Sequence, residues 1–144
     1  MNLFGILEIN SSAMRAERAR AEVVAANLAN AETTRSAQGG PYRRQRVAFR
    51  AKRVGRFQTA LEGASAIHAR GVRVSRVAAD QAPPVRRFDP SHPDADAQGY
   101  VNFPAINPVE EMVDLMGSAR AYQLNVAAAQ ATKAMIVQSL DLLR

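Results

Sequence analysis

The 144-residue chain contains no cysteine and no tryptophan. Without cysteine it has no disulfide framework, and thiolate catalysis and thiolate metal sites are excluded as well. Aromatic residues make up only 6% of the sequence, whereas alanine is abundant. That composition favours close helix–helix contacts over a large β-sandwich core. One domain, or one small domain carried on a long helical element, accounts for the length.

Targeting and membrane signals are also missing from the sequence. No basic residue precedes Arg15, so the first residues lack the basic region of a cleaved secretory signal. No apolar run approaches the ~18 residues that a membrane span needs, because asparagine and glutamine interrupt each candidate. We therefore expect that any route out of the cytoplasm cleaves no such signal.

Candidate catalytic and metal-binding residues are few. His68 and His92 lie far apart, and each is predicted to be a surface histidine. The segment 94–99 resembles the start of a calcium loop, but Ala105 stands where a bidentate glutamate is needed. No serine lies in a nucleophile elbow, and no glycine-rich phosphate loop follows a strand. We expect no catalytic residue, no metal and no cofactor, so the chain is predicted not to be an enzyme.

Basic charge is concentrated in the middle of the chain. Between Arg35 and Arg87 there are 13 lysines and arginines against two acidic residues, a net charge of +11. The remainder carries 6 basic and 11 acidic residues, a net charge of −5. A solvated arginine-rich surface explains such a segment, and so does contact with nucleic acid, an anionic envelope polymer or an acidic protein face.

Two long helices are predicted, one at each end. The first begins within residues 1–12 and runs to about Ala31, and the last runs from Pro108 to about Leu143 behind the N-cap Asn107. Each has the spacing of a coiled-coil seam. The first seam is Leu3, Leu7, Asn10, Met14, Glu17, Ala21, Val24 and Leu28. The last is Met112, Leu115, Ala119, Tyr122, Val126, Ala129, Lys133, Ile136, Leu140 and Leu143. The last helix is too long for a small domain to cover, so its seam must meet another helix.

The middle of the chain, residues 32–106, is predicted to be irregular and β-rich. Gly39-Gly40-Pro41 indicates a turn, and residues 46–50, 71–75, 85–88 and 99–103 are candidate strands. Residues 53–66 are ambiguous and predicted as a loop. The predicted fold is mainly α with a small β part, its terminal helices paired as a coiled coil. Residues 1–31 and 107–144 form a discontinuous helical domain, and residues 32–106 form a small, arginine-rich outer domain.

Two groups of residues are poorly explained by an ordinary solvated helix. Asn27 and Asn30 recur at helical spacing among small residues, where buried amides would fix the register of a close helix contact. A C-terminal cap is the alternative for Asn30. The second group lies in the last helix and consists of Met112, Ala119, Arg120, Tyr122 and Asn125. Ordinary core packing and a specific contact both explain these residues.

These segments carry a family resemblance. Residues 23–31, VVAANLANA, resemble the N-terminal motif of flagellar rod and hook proteins, and residues 109–125, VEEMVDLMGSARAYQLN, resemble their C-terminal motif. Residues 39–44, 47–49 and 90–101, together with the short length, resemble the proximal rod members of that family. Leu124 departs from the alanine that is common there.

The resemblance implies a structural subunit of the proximal rod in the periplasmic part of the flagellar basal body. It implies that the terminal helices form an inner coiled-coil layer around the export channel, in a helical tube that transmits torque. Export by the flagellar type III apparatus, without cleavage, is also implied. The implied partners are the chain itself, other rod proteins, inner-membrane ring and rod-adaptor proteins, and peptidoglycan as a candidate contact of the outer domain.

The predicted assembly interface follows from the seams and the resemblance together. It consists of Leu3, Leu7, Met14, Val24, Asn27, Leu28, Asn30, Met112, Leu115, Ala119, Arg120, Tyr122, Asn125, Val126, Ile136 and Leu140. The alternative from the residues alone is a small basic nucleic-acid-binding protein. The middle segment lacks an aromatic stacking platform and neither helix is basic enough to enter a groove, so nucleic acid is not the expected partner.

Overall fold

Two long helices pack against each other and carry two small antiparallel sheets. The computed structural model describes residues 3–37, 39–53 and 70–141. The elements follow in the order α1 (Leu3–Ala29), β1 (Gln45–Arg53), β2 (Arg70–Ala79), β3 (Val85–Phe88), β4 (Tyr100–Phe103) and α2 (Pro108–Asp141). None of the described helices is long and apolar enough to cross a membrane. The predicted helix–β–helix order is confirmed.

Helix α2 begins where its capping residues predict. The Asn107 side-chain oxygen accepts a hydrogen bond from the Val109 amide at 3.1 Å, and the Asn107 amide group donates to Glu110 at 3.2 Å. The first contact satisfies a backbone amide that the first turn leaves unpaired, and the second links the capping side chain to Glu110. With 34 residues α2 is about 51 Å long, whereas α1 has 27 residues. The last predicted seam residue, Leu143, lies outside the described residues.

All four candidate strands form, in two separate two-stranded sheets. Strands β1 and β2 pair antiparallel with a bulge between Ala48 and Phe49, and β3 pairs antiparallel with β4. Both β1 and β2 are longer than predicted. Their pairing continues through residues that do not alternate between apolar and polar in the sequence. Residues 54–66 of the predicted loop lie outside the described residues.

The β1–β2 sheet lies across α1. A cleft between them is lined by Ile9 and Ala13 of α1 together with Phe49 and Val72 of the sheet. The Ser12 hydroxyl accepts a hydrogen bond from the Val72 amide at 3.0 Å and donates to the Ile9 carbonyl at 2.7 Å. Since successive side chains on a strand point to opposite faces, this arrangement turns the alternate residues of β1 and β2 away from the helices.

Turn chemistry shapes the segments between the elements. Gly39 and Gly40 have φ values of 84° and 72°, and the Ser36 amide donates to the Gly40 carbonyl at 2.7 Å, which confirms the predicted turn. Gly99 has a φ of 81° and lies against Phe88, whose ring would be 2.9 Å from an added Cβ. Glycine is therefore required there both for backbone conformation and for space.

The face of α2 that meets α1 differs from the predicted seam. The buried residues of α2 are Glu111, Ser118 and Thr132, whereas the predicted seam residues that are exposed in this chain are Met112, Ala119, Tyr122, Lys133 and Leu140. On α1 the prediction agrees better, since Asn10 and Val24 are buried. The apolar pattern of α2 located an apolar face, but a neighbouring face packs against α1.

Candidate assembly interface

A buried polar cluster joins both helices to the first strand. Asn27 of α1 is only 1% exposed, and its amide group donates to Glu111 of α2 at 3.0 Å. The same amide group donates to the Gln45 carbonyl at 2.9 Å. Its oxygen accepts from the Gln45 amide at 2.8 Å and from the Tyr42 hydroxyl at 3.2 Å. One side chain thus bonds two other parts of the chain, and we call Asn27, Tyr42, Arg44, Gln45 and Glu111 the polar cluster.

Glu111 is the charged centre of the polar cluster. Its carboxylate is 1% exposed and forms an ion pair with Arg44, whose side chain is 19% exposed; the Arg44 Nε lies 2.6 Å from Oε1. The other carboxylate oxygen is the one that accepts from Asn27. A buried carboxylate is tolerated when it is paired and hydrogen-bonded in this way. Asp114, one turn further on α2, accepts a hydrogen bond from Arg20 at 3.3 Å.

The polar cluster changes the pKa of Tyr42. Burial of the phenol, and secondarily the negative charge of Glu111, raise the pKa of Tyr42 above its ordinary value of 10.0. The neutral hydroxyl is therefore the form that the folded chain holds, as the hydrogen bond that it donates to Asn27 requires. The polar cluster therefore bonds α1 to α2 and bonds the start of β1 to α1.

Three of the four polar residues in a row along α2 do not bond across to α1. The row consists of Glu111, Ser118, Asn125 and Thr132, seven residues apart. The last three donate to carbonyls of their own helix, at Leu115, Ala121 and Ala128, over 2.8–2.9 Å. Asn125 was predicted as an interface residue, and its side chain bonds within α2. Small polar side chains that are satisfied in this way let two helices approach closely without a specific partner.

Asn30 also bonds locally. Its amide group donates to the Ala26 carbonyl at 2.9 Å, and its oxygen accepts from the Thr33 hydroxyl at 3.2 Å. It lies directly after α1, so this geometry matches the C-terminal cap that the sequence left open. Further towards the start of α1, Asn10 Nδ2 and Glu17 Oε2 are buried and have no hydrogen-bond partner. The polar contacts are therefore better satisfied at the end of α1 than in its first half.

An apolar stripe runs along α2 on the face opposite the polar row. It consists of Val109 (67% exposed), Val113 (58%), Met116 (64%) and Leu124 (64%), and we call it the outer stripe. At 100° per residue these positions fall roughly half a turn from Glu111 and Ser118. An exposed apolar surface of this kind is a mark of a protein–protein contact.

The predicted interface residues divide into two sets. The set at least partly covered within the chain is Leu7, Met14, Val24, Asn27, Leu28, Asn30, Leu115, Asn125, Val126 and Ile136. The exposed set is Met112, Ala119, Arg120, Tyr122 and Leu140. The side chain of Leu3 lies outside what the structure describes. The first set is positioned by the chain's own helix pair, and the second is left available on α2.

The segment that resembles the start of a calcium loop is a hydrogen-bonded turn between β3 and β4. The Asp96 carboxylate accepts hydrogen bonds from the amides of Tyr100 at 2.8 Å and Gln98 at 2.9 Å, and pairs with Arg86 at 2.7 Å. These interactions, with the Tyr100 amide first among them, lower the pKa of Asp96 below its usual value. Within residues 3–37, 39–53 and 70–141, no group of three or more His, Cys, Asp and Glu side chains could hold a metal ion.

Sequence reasoning found Asn27 but missed its partners. Glu111 has the ordinary explanation of an acidic residue at the start of a helix, and Arg44 is one of many arginines in a basic segment. The signal that could have found Glu111 is its position at the head of the row that continues with Ser118, Asn125 and Thr132. Serine, asparagine and threonine follow Glu111 in this row, where a solvated helix face usually carries lysine or glutamate, and that composition favours a helix contact.

Comparison with known protein families identifies the class. Residues 7–35 match the family described as "Flagella basal body rod protein", and residues 97–142 match "Flagellar basal body rod FlgEFG protein C-terminal". The two matches include most of α1 and the whole of α2. The class that these helices define is the flagellar basal-body rod protein, as the resemblance in the sequence predicted.

Full-length relatives narrow the class to one family. The chain is 40% identical to the flagellar basal-body rod protein FlgC of Bacillus subtilis, over 99% of both chains. It is 37% identical to FlgC of Borreliella burgdorferi, over 100% of this chain and 99% of the relative. It is 38% identical to FlgC of Escherichia coli O157:H7, over 99% and 98%. The chain belongs to the FlgC family of flagellar basal-body rod proteins.

Proposed function

We propose that this structural subunit of the flagellar basal-body rod occupies its proximal part and assembles by packing of its terminal helices into a helical tube. The tube surrounds the export channel and transmits torque. Residues 1–31 and 107–144 form its inner layer as a coiled coil, and residues 32–106 form its outer layer. The observation that carries the mode of assembly is the outer stripe.

The outer stripe supports contact with neighbouring subunits because nothing in the described chain covers it. Fully burying one large aliphatic side chain is worth about 1.5–3 kcal/mol, and the stripe holds four that are more than half-exposed. The polar row of α2 is already occupied by α1, so a second helix is received on the opposite face. A contact of this heterologous kind, repeated around and along an axis, generates a helical tube.

The exposed predicted interface residues extend the same surface. Met112, Tyr122 and Leu140 are 54%, 40% and 62% exposed. They lie on one side of α2, between the polar row and the outer stripe. In the proposed assembly they contact neighbouring copies, whereas Leu115, Val126 and Ile136 hold α2 against α1 of the same copy. Asn27 then sets the register of the helix pair that is presented to the neighbours.

The partners follow from the same proposal. They are other copies of the chain, other rod proteins, and the inner-membrane ring and rod-adaptor proteins at the base. The flagellar type III export apparatus delivers the chain to the periplasmic rod without cleavage of a signal. Because the sequence has no cysteine, no disulfide hinders passage of the unfolded chain through the channel.

The test places a charge on the outer stripe and measures incorporation. Met116→Glu puts a carboxylate among apolar side chains at the proposed contact, and burying it there unpaired is strongly unfavourable. We expect this variant to be lost from purified basal bodies and to abolish motility, while the circular dichroism melting curve of the isolated chain is unchanged. A deletion of residues 133–144 is expected to abolish incorporation as well.

The control is Gln81→Glu. Gln81 is exposed between β2 and β3, outside α2, and the substitution changes charge by the same amount. It is expected to support motility. Normal recovery of Met116→Glu in basal bodies would show that the outer stripe is not an assembly contact.

A further inference from the structure

The outward face of the β1–β2 sheet is a cationic surface. Arg50 and Arg73 are directly opposite in the ladder, and Arg76 is opposite Ala48, two residues from Arg50. Alternation places Lys52 on the same face. The side chains of these four residues are exposed. We call them the cationic face.

The cationic face is not neutralised within the described part of the chain. The described ion pairs of the middle segment use other arginines, including Arg44 with Glu111, Arg46 with Asp80 and Arg86 with Asp96. Like charges directly opposite each other on two strands are destabilising, so Arg50 and Arg73 weaken the sheet in isolation. A partner with negative charge would remove that repulsion.

The shape of the cationic face limits the class of partner. Cross-strand neighbours are about 5 Å apart, and successive residues on one face are about 7 Å apart, so the cations form a small cluster, with the bulge lying between Arg76 and the Arg50–Arg73 pair. The face carries no aromatic side chain, which a single-strand nucleic-acid surface would use for stacking. Between the cations it carries only small residues, such as Ala48, with no apolar anchor of the kind that protein interfaces are built around.

The cationic face therefore offers positive charge but no stacking or apolar contact. A flexible polymer that carries repeated negative charges is the kind of partner that such a surface can bind. Guanidinium groups bind carboxylates through paired hydrogen bonds. We propose that the cationic face binds the carboxylates of the peptide stems of peptidoglycan, so that the outer layer of the subunit contacts the cell wall. This inference rests on the proposed location of the rod in the envelope, but its test needs only the isolated chain.

The experiment is co-sedimentation of the full-length chain with purified peptidoglycan sacculi. Arg50→Gln/Arg73→Gln/Arg76→Gln is expected to weaken binding about tenfold or more, as the sum of three exposed ionic contacts. Raising the salt concentration should release the wild-type chain, because exposed ion pairs are screened. Sacculi whose carboxylates have been converted to amides should not bind it.

The matched control removes three exposed cations from the helices: Arg15→Gln/Arg18→Gln/Lys133→Gln. This variant is expected to bind sacculi like the wild-type chain. Equal binding by both triple variants would overturn the proposal, as would undiminished binding to amidated sacculi. Tighter binding to double-stranded DNA or to anionic lipid vesicles than to sacculi would assign the face to that partner instead.

Two further measurements separate this inference from others. The thermal midpoint of the Arg50/Arg73/Arg76 variant is expected to stay the same or rise, because like-charge repulsion is removed; a fall would show that these arginines serve the fold. Recovery of the variant in basal bodies tests the proposed assembly separately. A wild-type chain that enters basal bodies yet fails to bind sacculi would overturn the cell-wall contact and leave the rod assignment intact.

Discussion

The substitution Asn27→Ala tests whether the polar cluster holds the helices and the sheet together. It removes four hydrogen bonds, two to the Gln45 backbone and one each to Glu111 and Tyr42. A buried polar group left without a partner costs about 1–3 kcal/mol. The carboxylate of Glu111 is fully buried, whereas water can reach the exposed residue Gln45. Allowing for the better helix propensity of alanine, we expect a loss of about 3 kcal/mol in the free energy of unfolding.

The assay is urea denaturation of the isolated chain followed by circular dichroism, with Asn30→Ala as the matched control. Asn30 is also an asparagine at the end of α1, but it is partly exposed and bonds only Ala26 and Thr33. Its loss is expected to cost about 0.5–1 kcal/mol, as for a terminal cap. If the two variants differ by less than about 0.5 kcal/mol, the polar cluster does not hold the fold as argued.

Three further predictions concern single positions. Glu111→Gln is expected to lower the pKa of Tyr42 towards 10.0 but not to it, because burial, the larger cause, remains; NMR titration of the ring measures this. Since the raised pKa belongs to the folded state, the stability it contributes is present below about pH 10 and is lost as the pH rises through the folded pKa. Gly99→Ala should destabilise the chain by about 2 kcal/mol and Gly40→Ala by about 1 kcal/mol, because both have positive φ but only Gly99 also meets a phenylalanine ring; equal losses would refute the steric part. Gly117→Ala should raise the free energy of unfolding by about 0.5–1 kcal/mol, since the added Cβ meets nothing within 4 Å, and a loss in the isolated chain would contradict this.

Local signals carried much of the fold. Asn107 and Pro108 located the start of α2 because capping depends only on neighbours along the chain. Alternation located β1 and β2, and Gly39-Gly40 located a turn for the same reason. What these signals could not supply was the partner of each element. The pairing of β1 with β2, and the separation of β3 and β4 into a second sheet, depend on contacts between distant residues.

The polar cluster shows where sequence reasoning reaches its limit. Asn27 stood out because an amide is unusual among small helical residues. Its partners Arg44 and Glu111 did not, because each belongs to a type of residue that is common at its position. Only the folded chain brings them together across 67 positions of sequence. A buried ion pair is therefore hard to predict when both members also have an ordinary surface explanation.

Helix α2 illustrates a different difficulty. Hydrophobic periodicity assumes that the apolar face meets the rest of the same chain. In α2 the inward row begins with Glu111 and continues through Ser118 and Thr132, and large apolar side chains such as Met116 and Leu124 face outward. A helix that contacts both its own chain and neighbouring molecules has more than one face to cover, and the pattern does not say which is which.

The uneven placement of hydrogen bonds between the two helices has a mechanical consequence. The side-chain bonds from α1 to α2 that the structure describes join Arg20 to Asp114 and Asn27 to Glu111, both at the end of α1 and the start of α2. Along the rest of the contact, Ser118 and Thr132 bond their own helix. A twisting load would thus be resisted by directional bonds at one end and by packing alone at the other. We therefore expect the far halves of the helices, which are held by packing, to adjust to a change in curvature more readily than the hydrogen-bonded near end.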